Sequence, residues 1–349
     1  MSGHDADVVV VGGGPVGLAS AVGAAAAGLT VAVVEPRDGP VDKACGEGLM
    51  PGAVDRLNRL GVDLAAAGGG HPFRGIRYLA PGHAVTADFR AGPGLGVRRT
   101  VLSHALAERA RELGVRVVRA RAGTPVQDPA GVTVAGVRAR WCLAADGLHS
   151  PVRRALGLAR PSAPGAPARF GLRRHVRTAP WSPWVDVLWA EDVEAYVTPV
   201  APDLVGVAVL SSRRRSFDAH LQRLPQLAAR LASAEPASPV LGAGPLRQRV
   251  RRRRQGRVLL VGDAAGYVDA LTGEGLRVGL AAAEEAVACV LADDARDYER
   301  RLARVERRPR VLTEGLLAVT SVPLARRALV PAAQRLPGVF SAAVDALAR

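Results

Sequence analysis

The chain has 349 residues, 48% of them hydrophobic but only 4% aromatic, and carries a formal charge of +15. That length suits two intertwined domains around Ala, Val, Leu and Gly interiors, while three scattered cysteines (Cys45, Cys142, Cys289) with no CxxC pair exclude a disulfide framework or structural zinc site and fit a reducing cytoplasm. Lys43 is the only lysine, so the charge is carried by arginine and reads as coding bias of a GC-rich genome, not as a nucleic-acid surface.

In chain order, polar Met1–Asp7 runs into Val8–Val11, a short apolar stretch ended by glycines. It predicts a buried strand and no targeting or membrane segment. Gly12–Gly17 is a turn, Pro15–Ala27 an Ala-rich helix capped by Gly28, and Thr30–Val34 a second strand closing on Glu35. This is a βαβ beginning. A helix near Gly52–Leu60 and strand-like pieces at Ile76–Leu79 and Val85–Phe89 follow. Thr100–Leu113 is amphipathic, with Val101, Leu102, Ala105, Leu106, Ala110 and Leu113 on one face. Val115–Val118, Val132–Val137 and Trp141–Ala145 read as strands.

From about residue 160 to 250 proline is frequent and alternation replaces helical spacing. Val185–Trp189, Ala195–Thr198 and Val205–Leu210 predict an antiparallel sheet, and Phe217–Ala232 a helix. Arg257–Val261 returns to a buried parallel strand, and a long helix spans Gly275 to Leu291. A helical tail at 296–349 is expected to be interrupted at Pro309, Pro323, Pro331 and Pro337. The expected fold is α/β. Segments 1–72, 98–160 and 251–295 form a Rossmann-like dinucleotide-binding domain. Segments 73–97 and 161–250 form an inserted, mainly antiparallel β-sheet domain for the substrate, and 296–349 the helical tail.

Three stretches carry chemistry. In Gly12-Gly13-Gly14-Pro15-Val16-Gly17, Gly12 allows the tight turn, Gly14 lets backbone approach a pyrophosphate, and Gly17 permits close helix–strand packing. Glu35, at the end of the second strand, suits an adenosine ribose, with Arg37 just beyond it. Asp146-Gly147-Leu148-His149-Ser150-Pro151-Val152-Arg153 follows an apolar strand. Val261-Gly262-Asp263-Ala264-Ala265-Gly266 leads to Leu271-Thr272-Gly273-Glu274-Gly275. There Asp263 suits ribityl hydroxyls, Gly273 and Gly275 suit backbone contact with a flat ring, and the helix start favours negative charge on that ring.

These stretches resemble, in family order, the single-Rossmann flavoproteins that contain para-hydroxybenzoate hydroxylase and the geranylgeranyl reductases, with their DG motif at Asp146-Gly147 and GD motif at Gly262-Asp263. Arg99-Thr100-Val101-Leu102 resembles the family's R-x-x-L helix, whose arginine contacts FAD; Arg98 is its rival for the position. The resemblance implies bound FAD, with NAD(P)H as electron donor or a redox partner in its place. No second GxGxxG provides a separate NAD domain, because Gly242-Ala243-Gly244 lacks the third glycine and a preceding strand.

Two reactions fit that family. One is a monooxygenase that hydroxylates an apolar or phenolic secondary metabolite through a flavin C4a-hydroperoxide. The other reduces C=C bonds by hydride from flavin N5. Lys43-Ala44-Cys45-Gly46-Glu47-Gly48-Leu49 resembles the CGxGL loop of the reductases, as does the Leu271–Gly275 turn and the pairing of Tyr196-Val197-Thr198-Pro199 with Val205-Gly206. The chain is short for the reductase branch, and similar loops in modifying enzymes of polyketides and phenolic lipids tilt the expectation to the hydroxylase. Cys45 and Glu47 are the catalytic candidates, Cys45 to gate substrate or tune the ring and Glu47 as loop cap or proton donor. Trp181-Ser182-Pro183-Trp184 departs from the halogenase W-x-W-x-I-P pattern. No metal is expected. A reading of another class keeps FAD structural and assigns the basic run Arg249–Arg254 to an anionic membrane; a solvated loop is the simpler account of that run. The expected partner is a small apolar or phenolic substrate, the expected setting the cytoplasm, with peripheral membrane contact left open.

Overall fold

The computed structural model describes residues 3–161 and 168–348. Its first sheet has five parallel strands in the order Arg116–Val118, Val31–Val34, Ala6–Val11, Val137–Ala144 and Val258–Leu260. Ala6–Val11 and Val31–Val34 are almost wholly buried, which is why they read as nearly continuous Val/Ala runs, whereas Val137–Ala144 alternates through Arg138 and Arg140 before its buried second half. Helices Pro15–Ala26, Arg99–Glu112 and Gly275–Leu291 cover the sheet. The first and last approach very closely: a Cβ on Gly279 would lie 2.5 Å from a Val16 methyl carbon. Small residues on both helices make that spacing achievable.

The second sheet runs Glu235–Pro236, Phe170–Arg177, Leu204–Ser211, Val193–Ala201, Val185–Trp189, Gly75–Ala80 and His83–Asp88. All neighbours are antiparallel except Val185–Trp189 with Gly75–Ala80, which pair in parallel because they come from distant segments. Helices Pro323–Arg335 and Pro337–Ala348 lie over this end of the sheet and close an apolar cluster with Phe73, Phe89, Trp189, Phe340 and Val344.

Four expectations change in detail. Val132–Val137 is not one strand but the turn of a hairpin between Val132–Val134 and Val137–Ala144, with Ala135 and Gly136 both left-handed (φ 49° and 79°). Phe217–Ala232 divides into Phe217–Leu221 and Pro225–Leu231, because Pro225 opens a new helix. Pro309 and Pro331 do not interrupt the tail; they sit inside Tyr298–Ser321 and Pro323–Arg335. The breaks fall at Pro323 and Pro337, each at a helix start where a missing N–H costs nothing. Finally, Phe170–Arg177 is a central strand that the pattern hid, since the residues it buries include Arg173 and His175.

Candidate functional site

The first glycines behave as three different parts. Gly12 (φ 103°) lies so close to the neighbouring strand that a Cβ would be 2.6 Å from the Ala145 carbonyl oxygen. A Cβ on Gly17 would fall 1.9 Å from the Gly12 oxygen, so helix and strand meet there only through glycine. Gly14 has open space on its Cβ side. It caps the Pro15–Ala26 helix with no side chain satisfying the first N–H groups, leaving them to an anion. Pro15 and Val16 begin that helix, Pro15 at N1 where no N–H is lost. Glu35 is buried: one carboxylate oxygen accepts from Gly13 N–H at 2.8 Å and the other from Arg37 Nε at 2.8 Å. Burial alone would raise its pKa, but Arg37 and the Gly13 amide outweigh that and hold it below the ordinary carboxylate value.

Arg153 fastens the second motif to the third. It is 2% exposed, and its guanidinium donates to the carbonyls of Leu148 (2.8 Å), Asp263 (3.2 Å) and Ala264 (3.0 Å) and to Gln248 Oε1 (2.8 Å). The arginine that could have been incidental to a surface turn therefore fixes the distance between Asp146 and Asp263. Asp146 accepts from Val152 N–H through one oxygen at 2.9 Å, while its other oxygen is buried without a partner. Burial raises the pKa of Asp146, and likewise that of Asp263, where Arg99, Lys43 and Arg153 oppose the rise. The Asp263 carboxylate accepts no hydrogen bond from the described residues. Arg99 Nε is buried without a partner, as is Arg98 Nε, but it is Arg99 whose charge acts on Asp263. Lys43 reaches the same region, its Nζ 3.0 Å from where a Gly147 Cβ would stand; burial, Arg99 and Arg37 lower its pKa. These unspent donors and acceptors fit FAD. Gly14 and the helix start suit the pyrophosphate, Asp263 the ribityl hydroxyls, and Arg99 and Lys43 the phosphate charge.

The third part is where the two sheets meet. The loop around Cys45 turns at Glu47, a non-glycine residue with φ 59°. Its N–H points at Cys45 Sγ (3.4 Å), and its carbonyl accepts from Val97 N–H (2.8 Å). The buried Glu47 carboxylate accepts from Arg99 N–H at 2.9 Å and lies 2.5 Å from His175 Nε2 and 3.8 Å from Arg173 Nη2. Arg173 Nη1 lies 3.0 Å from His175 Nδ1, and an arginine only donates, so Nδ1 accepts and Nε2 carries the proton toward Glu47. Thr198 Oγ1 donates to Gly46 O at 2.7 Å. Both Glu47 oxygens have partners inside the protein, the geometry of a loop cap. Cys45 is half-buried, on the same side as Tyr267, whose hydroxyl burial and Asp263 hold protonated far above the usual range.

The Leu271–Gly275 turn closes the site. Tyr196 Oη donates to Leu271 O at 2.7 Å, Gly273 is left-handed (φ 69°), and a Cβ on it would stand 3.6 Å from Met50 Cε. A Cβ on Gly275 would be 3.5 Å from the Tyr267 ring. The three motifs are thus brought together: Gly12 abuts Ala145, Gly262 abuts Val16, and Arg153 joins Leu148 to Asp263. Sequence reasoning missed Arg173, His175 and Tyr267; the first two lie on the hidden strand, and Tyr267 stands between motifs with nothing in its spacing to mark it.

A family model described as an FAD binding domain matches residues 5–311. The menaquinone reductase of Mycobacterium tuberculosis is 31% identical over 304 residues, spanning 79% of this chain and 74% of that protein. The rifampicin monooxygenase of Streptomyces venezuelae is 29% identical over 298 residues, 78% of this chain but 61% of that protein. The flavin-dependent brominase Bmp2 superposes with a TM-score of 0.79 over 98% of this chain and 93% of its own, at 17% identity, a likeness of fold alone. The groove built around Gly14, Asp146 and Asp263 and the match over residues 5–311 lead to one assignment: the chain belongs to the FAD-binding-domain family of FAD-dependent oxidoreductases.

Proposed function

We propose that this chain reduces a carbon–carbon double bond in an apolar, isoprenoid-like substrate. The observation that carries this is the approach of Met50, the residue that follows the Cys45–Leu49 loop, to the Leu271–Gly275 turn; loop and turn are the two stretches in which the sequence resembles the reductases. Met50 approaches Gly273, and Met50 and Leu271 both belong to the apolar cluster beneath the C-terminal helices. Substrate entering from that cluster meets the turn where the ring is expected, in surroundings that exclude water and offer hydrocarbon contact. The similarity to menaquinone reductase supports the same class.

FAD, when bound and reduced, would supply hydride chemistry for one alkene carbon. The other carbon needs a proton, and Cys45 is the proposed source: its sulfur faces the Glu47 N–H and lies within the field of Tyr267. Tyr267 stays neutral beside Cys45. Glu47, Arg173 and His175 hold the loop in place. A second reading, hydroxylation with O₂, is favoured by the similarity to rifampicin monooxygenase.

The test is anaerobic. Photoreduced holoprotein is mixed with menaquinone, and separately with a simple phenol. Reoxidation of the flavin band with menaquinone, and a product still heavier by two hydrogens after the quinone ring has been reoxidised in air, is the expected result; a gain that disappears on that reoxidation is quinol formation and overturns the proposal. Flavin that stays reduced without O₂, yet inserts one oxygen into the phenol when O₂ is admitted, overturns the proposal in favour of hydroxylation.

A further inference from the structure

We propose that a cavity behind Asp263, lined by Arg160, Arg249 and Arg251, binds a phosphate-bearing anion. The cavity has a volume of about 320 Å³ and lies between the Arg247–Arg253 segment, the Gly262–Asp269 loop and the helix Tyr298–Ser321. None of Gly12–Gly17, Glu35, Lys43 or Arg99 lines it, whereas Asp263, Tyr267 and Gly275 do, so it adjoins the ribityl and ring end of the expected FAD site and lies apart from the pyrophosphate end.

Its charge arrangement is the argument. Ala159–Arg160 pairs antiparallel with Arg249–Val250, and the register sets Arg160 directly opposite Arg249. Like charges facing each other across a strand pair are destabilising. Arg251, two residues on, lines the same wall. Among the described residues none of these three has an ion-paired carboxylate, whereas their neighbours do: Arg247 pairs with Glu314 at 2.9 Å, and Arg253 with Glu306 at 2.5 Å.

Three of the four acids on the wall have an arginine partner, although Glu274 Oε2 has no hydrogen-bond partner among the described residues. Glu306 is held by Arg253, Glu274 by Arg277 and Asp269 by Arg169. Asp263 faces Arg99, Lys43 and Arg153. Gly275, the first residue of a 17-residue helix, also lines the cavity and adds the positive end of that helix. A pair of facing, unneutralised arginines beside a helix start has the geometry of a phosphate clamp, because guanidinium presents paired N–H donors to two oxygens. The run Arg249–Arg254 is thus not a uniformly solvated loop. Phosphate chemistry of this kind could come from a nucleotide electron donor or from a free phosphate.

The experiment uses FAD-loaded protein at constant ionic strength, with inorganic pyrophosphate, NADPH and NADH as probes. Calorimetric titration measures binding, and thermal unfolding measures stability. Pyrophosphate is expected to bind the wild type, and the R160Q/R249Q double variant to bind it at least about tenfold more weakly, the loss expected for charge-assisted hydrogen bonds. FAD content should stay stoichiometric, and the variant without probe should unfold no earlier than wild type, since a repulsion has been removed. R252Q, an exposed arginine outside the cavity, should bind as wild type. NADPH binding tighter than NADH, with that advantage lost in the double variant, identifies a nucleotide; equal behaviour of the two nucleotides, with pyrophosphate still bound, identifies a free phosphate. Absence of pyrophosphate binding to wild type, or undiminished binding to the double variant, overturns the proposal. If the double variant fails to fold, R249Q alone is titrated against the same criterion.

Discussion

The carboxylate of Glu47 and the Nε2 of His175 lie 2.5 Å apart, both side chains buried, although 128 residues separate them. Glu47 belongs to the loop after the first βαβ unit and His175 to a central strand of the second sheet. The same carboxylate accepts the N–H of Arg99, the first residue of the Arg99–Glu112 helix. One side chain therefore ties the loop, the Arg99–Glu112 helix and the second sheet together.

Replacing Glu47 by Gln keeps the shape but turns one acceptor oxygen into a donor. A donor facing either Arg99 N–H or His175 Nε2–H leaves one of these bonds unmade. The loop carrying Cys45 should then be misplaced while FAD stays bound. The expected result is a kcat/KM roughly tenfold lower, about the value of one hydrogen bond to a charged group. An unchanged flavin spectrum should accompany it. H175A should act in the same direction, and the double variant should add little, because the two residues form one unit. Full additivity in the double-mutant cycle would show that they act separately.

Gly14 and Gly17 separate cofactor binding from folding. Gly14→Val places a side chain in open space, so the fold should persist while the pyrophosphate approach is blocked. The expected product is colourless, folded protein with a normal circular-dichroism spectrum. Gly17→Ala puts a methyl 1.9 Å from the Gly12 oxygen. Something must move, and a loss of about 3 kcal/mol or more in urea unfolding is expected. Retained stoichiometric FAD in Gly14→Val would mean that the phosphates lie elsewhere.

What the sequence made legible follows from this contrast. GxGxxG, the DG and GD stretches and the buried strands are local patterns, and local patterns survive in one dimension. Arg153 was visible only as part of a motif; its reach to Gln248 and the Asp263 carbonyl is a tertiary fact. The strand Phe170–Arg177 was hidden because it turns Arg173 and His175 inward, inverting the apolar-in pattern by which strands are recognised. Those two residues are buried because Glu47 and Asp42 are there to meet them, and that partnership has no signature in spacing.

The C-terminal helices are pinned by a buried ionic network. Glu194, on the Val193–Ala201 strand, pairs with both Arg169 and Arg326, and Arg169 also pairs with Asp269 at 2.9 Å. Arg326 belongs to the Pro323–Arg335 helix and donates to the Ala190 carbonyl at 2.7 Å. Removing one member leaves charge uncompensated in a dry place. Arg326→Ala should cost roughly 3 kcal/mol in unfolding free energy. It should also speed hydrogen exchange of the 323–335 amides before that of the parallel sheet. Exchange rates equal to wild type would show that apolar packing alone holds the helix.

Asp263 gives the pH dependence of cofactor binding. Burial raises its pKa above the ordinary carboxylate value, with Arg99, Lys43 and Arg153 opposing. In the cofactor-free protein the native state therefore binds this proton more tightly than the unfolded chain. The burden of an ionised, buried Asp263 grows as pH rises from the ordinary value through the raised one. Hydroxyl donors from a ribityl chain stabilise the ionised form and pull the pKa back down. By linkage, FAD then binds better once Asp263 has lost its proton, and affinity falls as pH drops through the raised pKa. Asp263→Asn cannot ionise, so this portion of the slope should vanish, with affinity at neutral pH reduced about tenfold or more for the loss of charge-assisted bonds. Lys43 works at the other end: its pKa is lowered, and phosphate charge should raise it, so affinity should also decline as pH rises past the Lys43 value in the cofactor-free protein. Fluorescence titration of FAD across pH checks both limbs. An acid limb that persists unchanged in Asp263→Asn would assign it to another group, such as Asp146 or Glu274, whose pKa values burial also raises.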